Sequence, residues 1–333
     1  MSATIEVHGL EREFNRGDSD SFMAVNKVDL EVREGEVYGF LGPNGAGKTT
    51  LVRMLVTLLS PTGGTALVAG HDIVREPAKV RSAIGVTLQE AALDPLMSGY
   101  ELLLLQATLH GLRHKAAAAQ ADSLLERVDL VFAKDVRVGT YSGGMRRRLD
   151  LAMSLIHRPE VLFLDEPTTG LDPISRKVLW DEVRELNRNG TTVFLTTQYL
   201  EEADELADRV GIIDKGILVA EGTPAELKNE IGNLRLEVTV HDSAQAETAR
   251  AVLARHGDFL PPHRGVTFAV KLPAGQTQIA PYVVELDNAG VTIDTINLIE
   301  PSLDDVFLMK TGNFFDADAS ETEPTPGDVV KTA

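Results

Sequence analysis

Gly42-Pro43-Asn44-Gly45-Ala46-Gly47-Lys48-Thr49-Thr50 decides the fold of this 333-residue chain. The stretch meets the pattern G-x-x-x-x-G-K-[ST] at every fixed position. Its flanks supply the context that the pattern needs. Glu36-Val37-Tyr38-Gly39-Phe40-Leu41 reads as a short apolar strand, and Leu51-Val52-Arg53-Met54-Leu55 continues as an amphipathic helix. Glycines let the main chain fold tightly around oxygen atoms, so that successive N–H groups face inward. The helix that follows adds the positive end of its dipole. Strand, loop and helix in this order predict a cradle for nucleotide phosphates, with Lys48 reaching the β- and γ-phosphates and the Thr49 hydroxyl offered to Mg²⁺.

Composition narrows what surrounds this cradle. The length allows two domains and a large core, and 43% hydrophobic with 25% charged residues is usual for a globular chain. There is no cysteine, so disulfides and thiolate metal sites are excluded. The eight histidines are scattered without H-E-x-x-H spacing. No apolar run approaches the roughly 20 residues that cross a bilayer, and the charged start has no apolar signal core. A cytoplasmic chain without direct membrane insertion is expected. A net charge of −18 argues against broad contact with nucleic-acid phosphates and against adsorption to anionic lipid.

Taken in order, Ile5 to Phe14 reads as a first strand and Val28, Leu30 and Val32 as part of a second, with a polar turn at Asn15 to Ser21. Phe14 suits either a core position or a ring stacked on a base, a contact worth about 1–3 kcal/mol. Thr65–Val68 and Ile84–Leu88 read as strands, the latter ending at Gln89, whose neutral amide suits Mg²⁺ or an attacking water. Ser98 to about Val138 is nearly all helix-forming. It leads to Thr140-Tyr141-Ser142-Gly143-Gly144-Met145 and then Arg146-Arg147-Arg148, where a helix start backed by cations is suited to hold an anion. Val161-Leu162-Phe163-Leu164 has the continuous apolar character of a strand buried in a parallel sheet. It delivers two adjacent acids, Asp165 for Mg²⁺ and Glu166 for the attacking water. A turn at Gly170-Leu171-Asp172-Pro173, a helix over Val178–Leu186 and a strand Thr192–Leu195 ending at Thr196-Thr197-Gln198 follow.

These motifs, in this order and spacing over roughly residues 4–230, closely resemble the ATP-binding cassette (ABC) family. The resemblance implies a P-loop NTPase cassette of α/β class, with a RecA-like core, a β subdomain and a helical insertion at about residues 90–158. It implies the Walker A loop at Gly42 to Thr50, the Q-loop at Gln89, the signature at Tyr141–Met145, the Walker B acids Asp165 and Glu166, and the D-loop at Gly170–Asp172. By the same resemblance ATP contacts Gly42, Pro43, Asn44, Gly45, Ala46, Gly47, Lys48, Thr49, Thr50 and Gln89, with Phe14 at the adenine. Mg²⁺ falls to Thr49, Gln89 and Asp165, and catalysis to Glu166, Lys48 and Gln198. Ser142, Gly143, Gly144 and Met145 would cover the ATP of a second copy in a head-to-tail dimer, with the D-loop Asp172 alongside.

Two motifs depart from the usual family pattern: Tyr141 and Met145 flank Ser-Gly-Gly where Leu and Gln are usual, and Gln198 stands at the switch histidine. With Thr196-Thr197-Gln198-Tyr199-Leu200-Glu201-Glu202-Ala203-Asp204, they are similar to the daunorubicin-resistance DrrA branch. That branch implies an ATPase subunit lying on the inner face of the membrane through a separate permease, and powering export of drug-like or lipid-like molecules. A soluble cassette acting on ribosomes or DNA, and an importer ATPase, are the competing classes. Residues 231–312 alternate as a small α/β domain, βαβαβα in order, closing with Ser302-Leu303-Asp304-Asp305-Val306-Phe307-Leu308. All cassette motifs lie before residue 230, so the cassette is expected to fold without this segment. Residues 313–333 are acidic and Pro/Thr-rich, and a disordered tail is expected there.

Overall fold

A computed structural model describes residues 3–15, 21–89, 93–231, 234–259, 266–272 and 278–312. The acidic tail 313–333 and most of the turn expected between Asn15 and Ser21 lie outside the described residues. Strands β1 (Ala3–Asn15) and β2 (Ser21–Arg33) pair antiparallel, and β3 (Val37–Leu41) leads into α1 (Lys48–Leu55). Next come β4 (Gly63–Val68), β5 (His71–Asp72), α2 (Pro77–Ala83) and β6 (Ile84–Thr87). Helices α3 (Gly99–Leu109), α4 (His114–Arg127) and α5 (Gly143–Ser154) intervene before β7 (Val161–Asp165). The run expected to stay helical to Val138 leaves the α-helix at Arg127 and continues in short 3₁₀ turns. The cassette then runs through α6 (Pro173–Arg188), β8 (Thr192–Thr197), α7 (Leu200–Leu206), β9 (Arg209–Asp214), β10 (Ile217–Gly222) and α8 (Pro224–Ile231).

The central sheet has the order β10-β9-β3-β8-β7-β6, parallel from β9 to β6, with β10 antiparallel at one edge. Its middle strands β3, β8 and β7 are buried along their whole length because both faces are covered. Alternation along each strand decides which cover a side chain meets. Phe163 and Phe194 face one way, with Tyr38 and Phe40, into a cluster closed by α1 and the β1–β2–β4 sheet. Their rings lie 5.5 Å apart, in the tilted arrangement aromatic pairs favour. Leu162, Leu164, Val193 and Leu195 face the other way, into the cluster of α3, α4 and α5. In the ladders Leu41 stands beside Thr197, Asp165 beside Thr196, and Thr87 beside Leu164. The carboxyl ends of β3, β6, β7 and β8 thus share one edge, where open α/β sheets bind ligands.

Beyond the cassette lie β11 (Arg235–Val240), α9 (Ala246–Leu253), β12 (Asp258–Phe259), β13 (Thr267–Lys271), α10 (Ala280–Asn288), β14 (Ile293–Ile299) and α11 (Leu303–Thr311). The strands form an antiparallel sheet in the order β12-β13-β11-β14, and Leu236, Val238 and Val240 of β11 pack with α9 and α10. Helix α11 behaves differently. A Ser302–Asp305 capping box starts it, but its buried residues Leu303, Val306 and Phe307 join Leu41, Ala203, Val210, Ile212 and Leu227 of the cassette. Lys310 reaches Glu230 of α8 at 2.6 Å. By its packing α11 belongs to the cassette, so the position of the motifs alone understates how much chain the cassette core uses.

Ending the chain after Glu230 would remove Leu303, Val306 and Phe307 from this cluster. In the full chain, Phe307→Ala should cost about 3–5 kcal/mol, the usual range for deleting a buried ring. Urea unfolding followed by far-UV circular dichroism reads the effect. A loss within the roughly 0.5 kcal/mol typical of surface changes would mean that α11 does not close the core.

Candidate functional site

The loop after β3 turns sharply because no side chain fits at its critical points. A Cβ on Gly42 would lie 2.5 Å from the Ile213 carbonyl oxygen. Gly47 combines a φ of +110° with the Ala24 carbonyl oxygen 2.3 Å from where a Cβ would sit. The turn aims Lys48 inward, where it is 4% exposed. Its Nζ donates to the Gly42 and Pro43 carbonyls at 2.8 and 3.1 Å and lies 3.2 Å from Glu166 Oε1. Burial pulls the Lys48 pKa down while the Glu166 carboxylate pulls it back up. The Thr49 hydroxyl donates to Asp165 Oδ1 at 3.3 Å, and the Thr196 hydroxyl donates to the same oxygen at 2.5 Å. The second oxygen, Asp165 Oδ2, is buried with no hydrogen-bond partner. Lys48, Thr49, Asp165 and Glu166 are therefore brought together as the spacing predicts.

Glu166 is held as firmly as its neighbours. It has a φ of +48°, uncommon for a residue with a side chain, and its N–H donates to the carbonyl and the hydroxyl of Thr196, each at 3.1 Å. The Thr169 hydroxyl donates to Glu166 Oε2 at 3.3 Å. Gln198 directly follows β8 and is 9% exposed, with its Oε1 buried and without a partner. An unpartnered carboxylate oxygen beside a threonine hydroxyl suits a hard cation that binds oxygen, such as Mg²⁺, which commonly takes one or two carboxylates plus phosphate oxygens.

The remaining sequence-selected residues lie around this centre. Gln89 follows β6 with an exposed side chain. Phe14 stands opposite Phe22 in the β1–β2 pair, two residues before Ala24, the residue whose carbonyl lies against Gly47. The Arg12 guanidinium covers its ring at 4.5 Å. Asp172 caps α6, accepting from the Ile174 and Ser175 N–H groups at 3.0 Å, and the Ser175 hydroxyl holds its carboxyl below the usual range. Ser142 caps α5 by accepting from Met145 N–H at 3.2 Å, while Ser142 and Gly143 remain exposed. Gly144 packs against Ser175 and Leu171, near enough that a Cβ would lie 3.0 Å from Ser175 Oγ.

Two features depart from the sequence reading. Tyr141 is a core residue: it is buried in the helical cluster, and its hydroxyl donates to the Ala133 carbonyl at 2.7 Å. The three arginines, read as backing for an anion, are engaged on main-chain carbonyls. Arg146 donates to Gly139 and Arg148 to Val128, both at 2.9 Å, and Arg147 is buried on carbonyls at the ends of β6 and β7. Thr196 and Arg147 are the site residues that sequence reasoning missed. Thr196 lies at a strand end with no motif residue type to mark it, and the arginine run gives no sign of which member turns inward.

Residues 25–169 match the ABC transporter family, and residues 222–311 match the C-terminal domain of ATP-binding proteins like DrrA1-3. The daunorubicin resistance ATP-binding protein DrrA3 of Streptomyces coeruleorubidus is 49% identical over 309 residues, covering 93% of this chain and 96% of that one. The doxorubicin resistance ATP-binding protein DrrA of Mycobacterium tuberculosis is 45% identical over 314 residues, covering 92% and 93%. Among solved structures, the post-hydrolysis dimer of the ATP-binding cassette MJ0796 bound to ADP and Pi superposes with a TM-score of 0.62. It is 23% identical and covers 66% of this chain and 98% of that one, a likeness of fold. Identity at this level across nearly the whole length of such relatives leaves one conclusion: the chain belongs to the ABC transporter family, in its daunorubicin-resistance DrrA branch, as an ATP-binding, ATP-hydrolysing subunit.

Proposed function

We propose that this ATPase powers export of a drug-like or lipid-like hydrophobic molecule through a separate membrane permease, working as a head-to-tail pair of copies. The names of its relatives, resistance to daunorubicin and to doxorubicin, support the substrate class. Among the described residues no helix is long and apolar enough to cross a membrane, and the permease would supply those spans and hold the subunit on the inner face. The observation that carries the chemistry is the convergence of Lys48 and Thr49, which begin α1 after β3, with Asp165 and Glu166 at the end of β7, within hydrogen-bonding reach.

In this proposal the loop Gly42 to Thr50, through its main-chain N–H groups (Pro43 has none), and the Lys48 ammonium hold the phosphates, and Phe14 takes the adenine. Lys48 now shares its charge between Glu166 and two loop carbonyls. A γ-phosphate carries more negative charge than a single carboxylate and competes for that ammonium. Glu166 is then released to orient and deprotonate a water for in-line attack. Thr49, Asp165 and Gln89 would hold Mg²⁺, which supplies positive charge to the β- and γ-phosphate oxygens. Ser142, Gly143, Gly144 and Met145 of one copy would cover the ATP of the other, with Asp172 beside them, giving two equivalent sites.

Lys48→Ala should abolish ATP binding or turnover in the folded protein, and normal turnover would overturn the phosphate-loop assignment. Glu166→Gln should retain ATP and accumulate as a dimer, because the amide still bonds water but takes no proton. Light scattering with ATP and Mg²⁺ reads this, and a monomer hydrolysing at the parent rate would remove Glu166 as the base. Co-purification of the tagged chain with a polytopic membrane protein encoded beside it tests the transport reading, which a consistent failure to associate would refute.

Gln198 offers a sharper test, since its unpartnered Oε1 is buried at the site. Gln198→Ala should slow hydrolysis by about 1.5–3 kcal/mol, the worth of a hydrogen bond to a charged group. Gln198→His should retain activity and acquire a pH dependence between about pH 6 and 7, where imidazole titrates and the glutamine amide does not. Steady-state rates across that range decide both, and an unchanged rate for Gln198→Ala would leave Glu166 working without a switch residue.

A further inference from the structure

Arg147 lies in the first turns of α5, the helix that Ser142 caps, and is 8% exposed. Its guanidinium spends its donors on five main-chain carbonyls from two other segments. Nε donates to Pro167 at 2.9 Å, and Nη2 donates to both Asp165 and Glu166 at 2.9 Å. Nη1 donates to Gln89 at 3.2 Å and to Leu88. A buried cation is costly unless its donors are satisfied, and here all the satisfaction comes from the ends of β6 and β7. The other two arginines of α5 turn elsewhere, Arg146 to the Gly139 carbonyl and Arg148 to that of Val128.

The identity of the acceptors matters. Main-chain carbonyls have no side-chain torsions of their own, so they move only when their segment moves. The fork of Arg147 is planar and rigid, and charge-assisted bonds to it are directional. The ladder between Thr87 and Leu164 already ties β6 to β7. Apolar packing already sets α5 on these strands, through Leu149 and Leu151 with Leu162 and Leu164, and Arg147 adds a directional, charge-assisted tie. A displacement of the signature helix must therefore either carry the Glu166 and Gln89 segments with it or break several charge-assisted bonds.

We propose that Arg147 is a positioning residue that couples the signature helix to the Glu166 and Gln89 segments within one copy. Nucleotide bound at the phosphate loop then alters the signature surface, and contacts made by that surface reset the catalytic carboxylate. The inference rests on the ATPase reading of the Lys48–Glu166 site.

Arg147→Lys and Arg147→Gln in the full chain test it, each retaining polar donors while losing the fork. Three measurements are made: affinity for a fluorescent ATP analogue, steady-state kcat and KM, and hydrogen–deuterium exchange of peptides spanning the phosphate loop and Ser142–Ser154, with and without ATP and Mg²⁺. The expected result is nucleotide affinity near that of the parent and kcat lower by about tenfold or more with KM little changed, as follows from a misplaced catalytic group. Exchange protection by ATP should persist at the phosphate loop and vanish at the signature peptide. Parent-like kcat with parent-like protection at both peptides would overturn the proposal. So would a loss of nucleotide affinity and of protection everywhere, or failure of both variants to fold, because Arg147 would then be a structural brace. A parent chain that neither binds nor hydrolyses ATP would instead refute the ATPase reading, and the proposal with it.

Discussion

A lysine ammonium placed almost out of contact with water constrains everything near it. Lys48 is tolerated there because two loop carbonyls and the Glu166 carboxylate meet it, and breaking a buried pair of this kind typically costs about 3–5 kcal/mol. Those partners come from the ends of β3 and β7, which are not neighbours: β8 lies between them. Thr196 of β8 accordingly does double duty, bonding the Asp165 carboxylate with its hydroxyl and the Glu166 N–H with its carbonyl. The parallel register of three strands, the apolar alternation that sets it and the charge at its edge are one constraint seen at three scales.

The same logic explains how the family departures are accommodated. Tyr141 replaces an aliphatic residue beside the signature, yet it does not disturb the loop, because its ring fills the α3–α4–α5 cluster and its hydroxyl finds the Ala133 carbonyl. Gly99 makes room: a Cβ there would lie 2.8 Å from the Tyr141 hydroxyl oxygen. Gln198 presents an amide, whose charge does not change at physiological pH, where a titratable ring is usual. Its neighbourhood is nonetheless acidic and enclosed. Glu202, one helical turn on, is fully buried, accepts from Trp180 Nε1 at 3.0 Å, and has its pKa raised by that burial.

The strand–loop–helix cradle, the acids after β7 and the glutamine after β8 could be read from local sequence because each depends on residues adjacent in the chain. In the C-terminal domain β11 and β13 were visible as alternation but their antiparallel pairing was not, and α2, α7, α8, β9 and β10 passed unread, being short or of mixed polarity. Arg147 was illegible for a different reason. Its acceptors are main-chain carbonyls, which every residue possesses, so no residue type announces them. The destination of α11 was hidden in the same way. Its capping box is a local signal, but an apolar face of Leu303, Val306 and Phe307 carries no mark of which core it will cover.

That packing of α11 has a consequence for how the protein is made. Chains emerge from the ribosome amino end first, at about 5–20 residues per second, and early domains ordinarily fold before later ones appear. Here the strand bearing Leu41 is made early, and the helix that covers it is among the last described elements. Until synthesis passes Phe307, the cluster of Leu41, Ala203, Val210, Ile212 and Leu227 lacks the part of its native cover that α11 supplies, and contacts so distant in sequence form slowly. The nascent cassette therefore carries an apolar patch that chaperones can hold, and only a chain extended through α11 hides it from them.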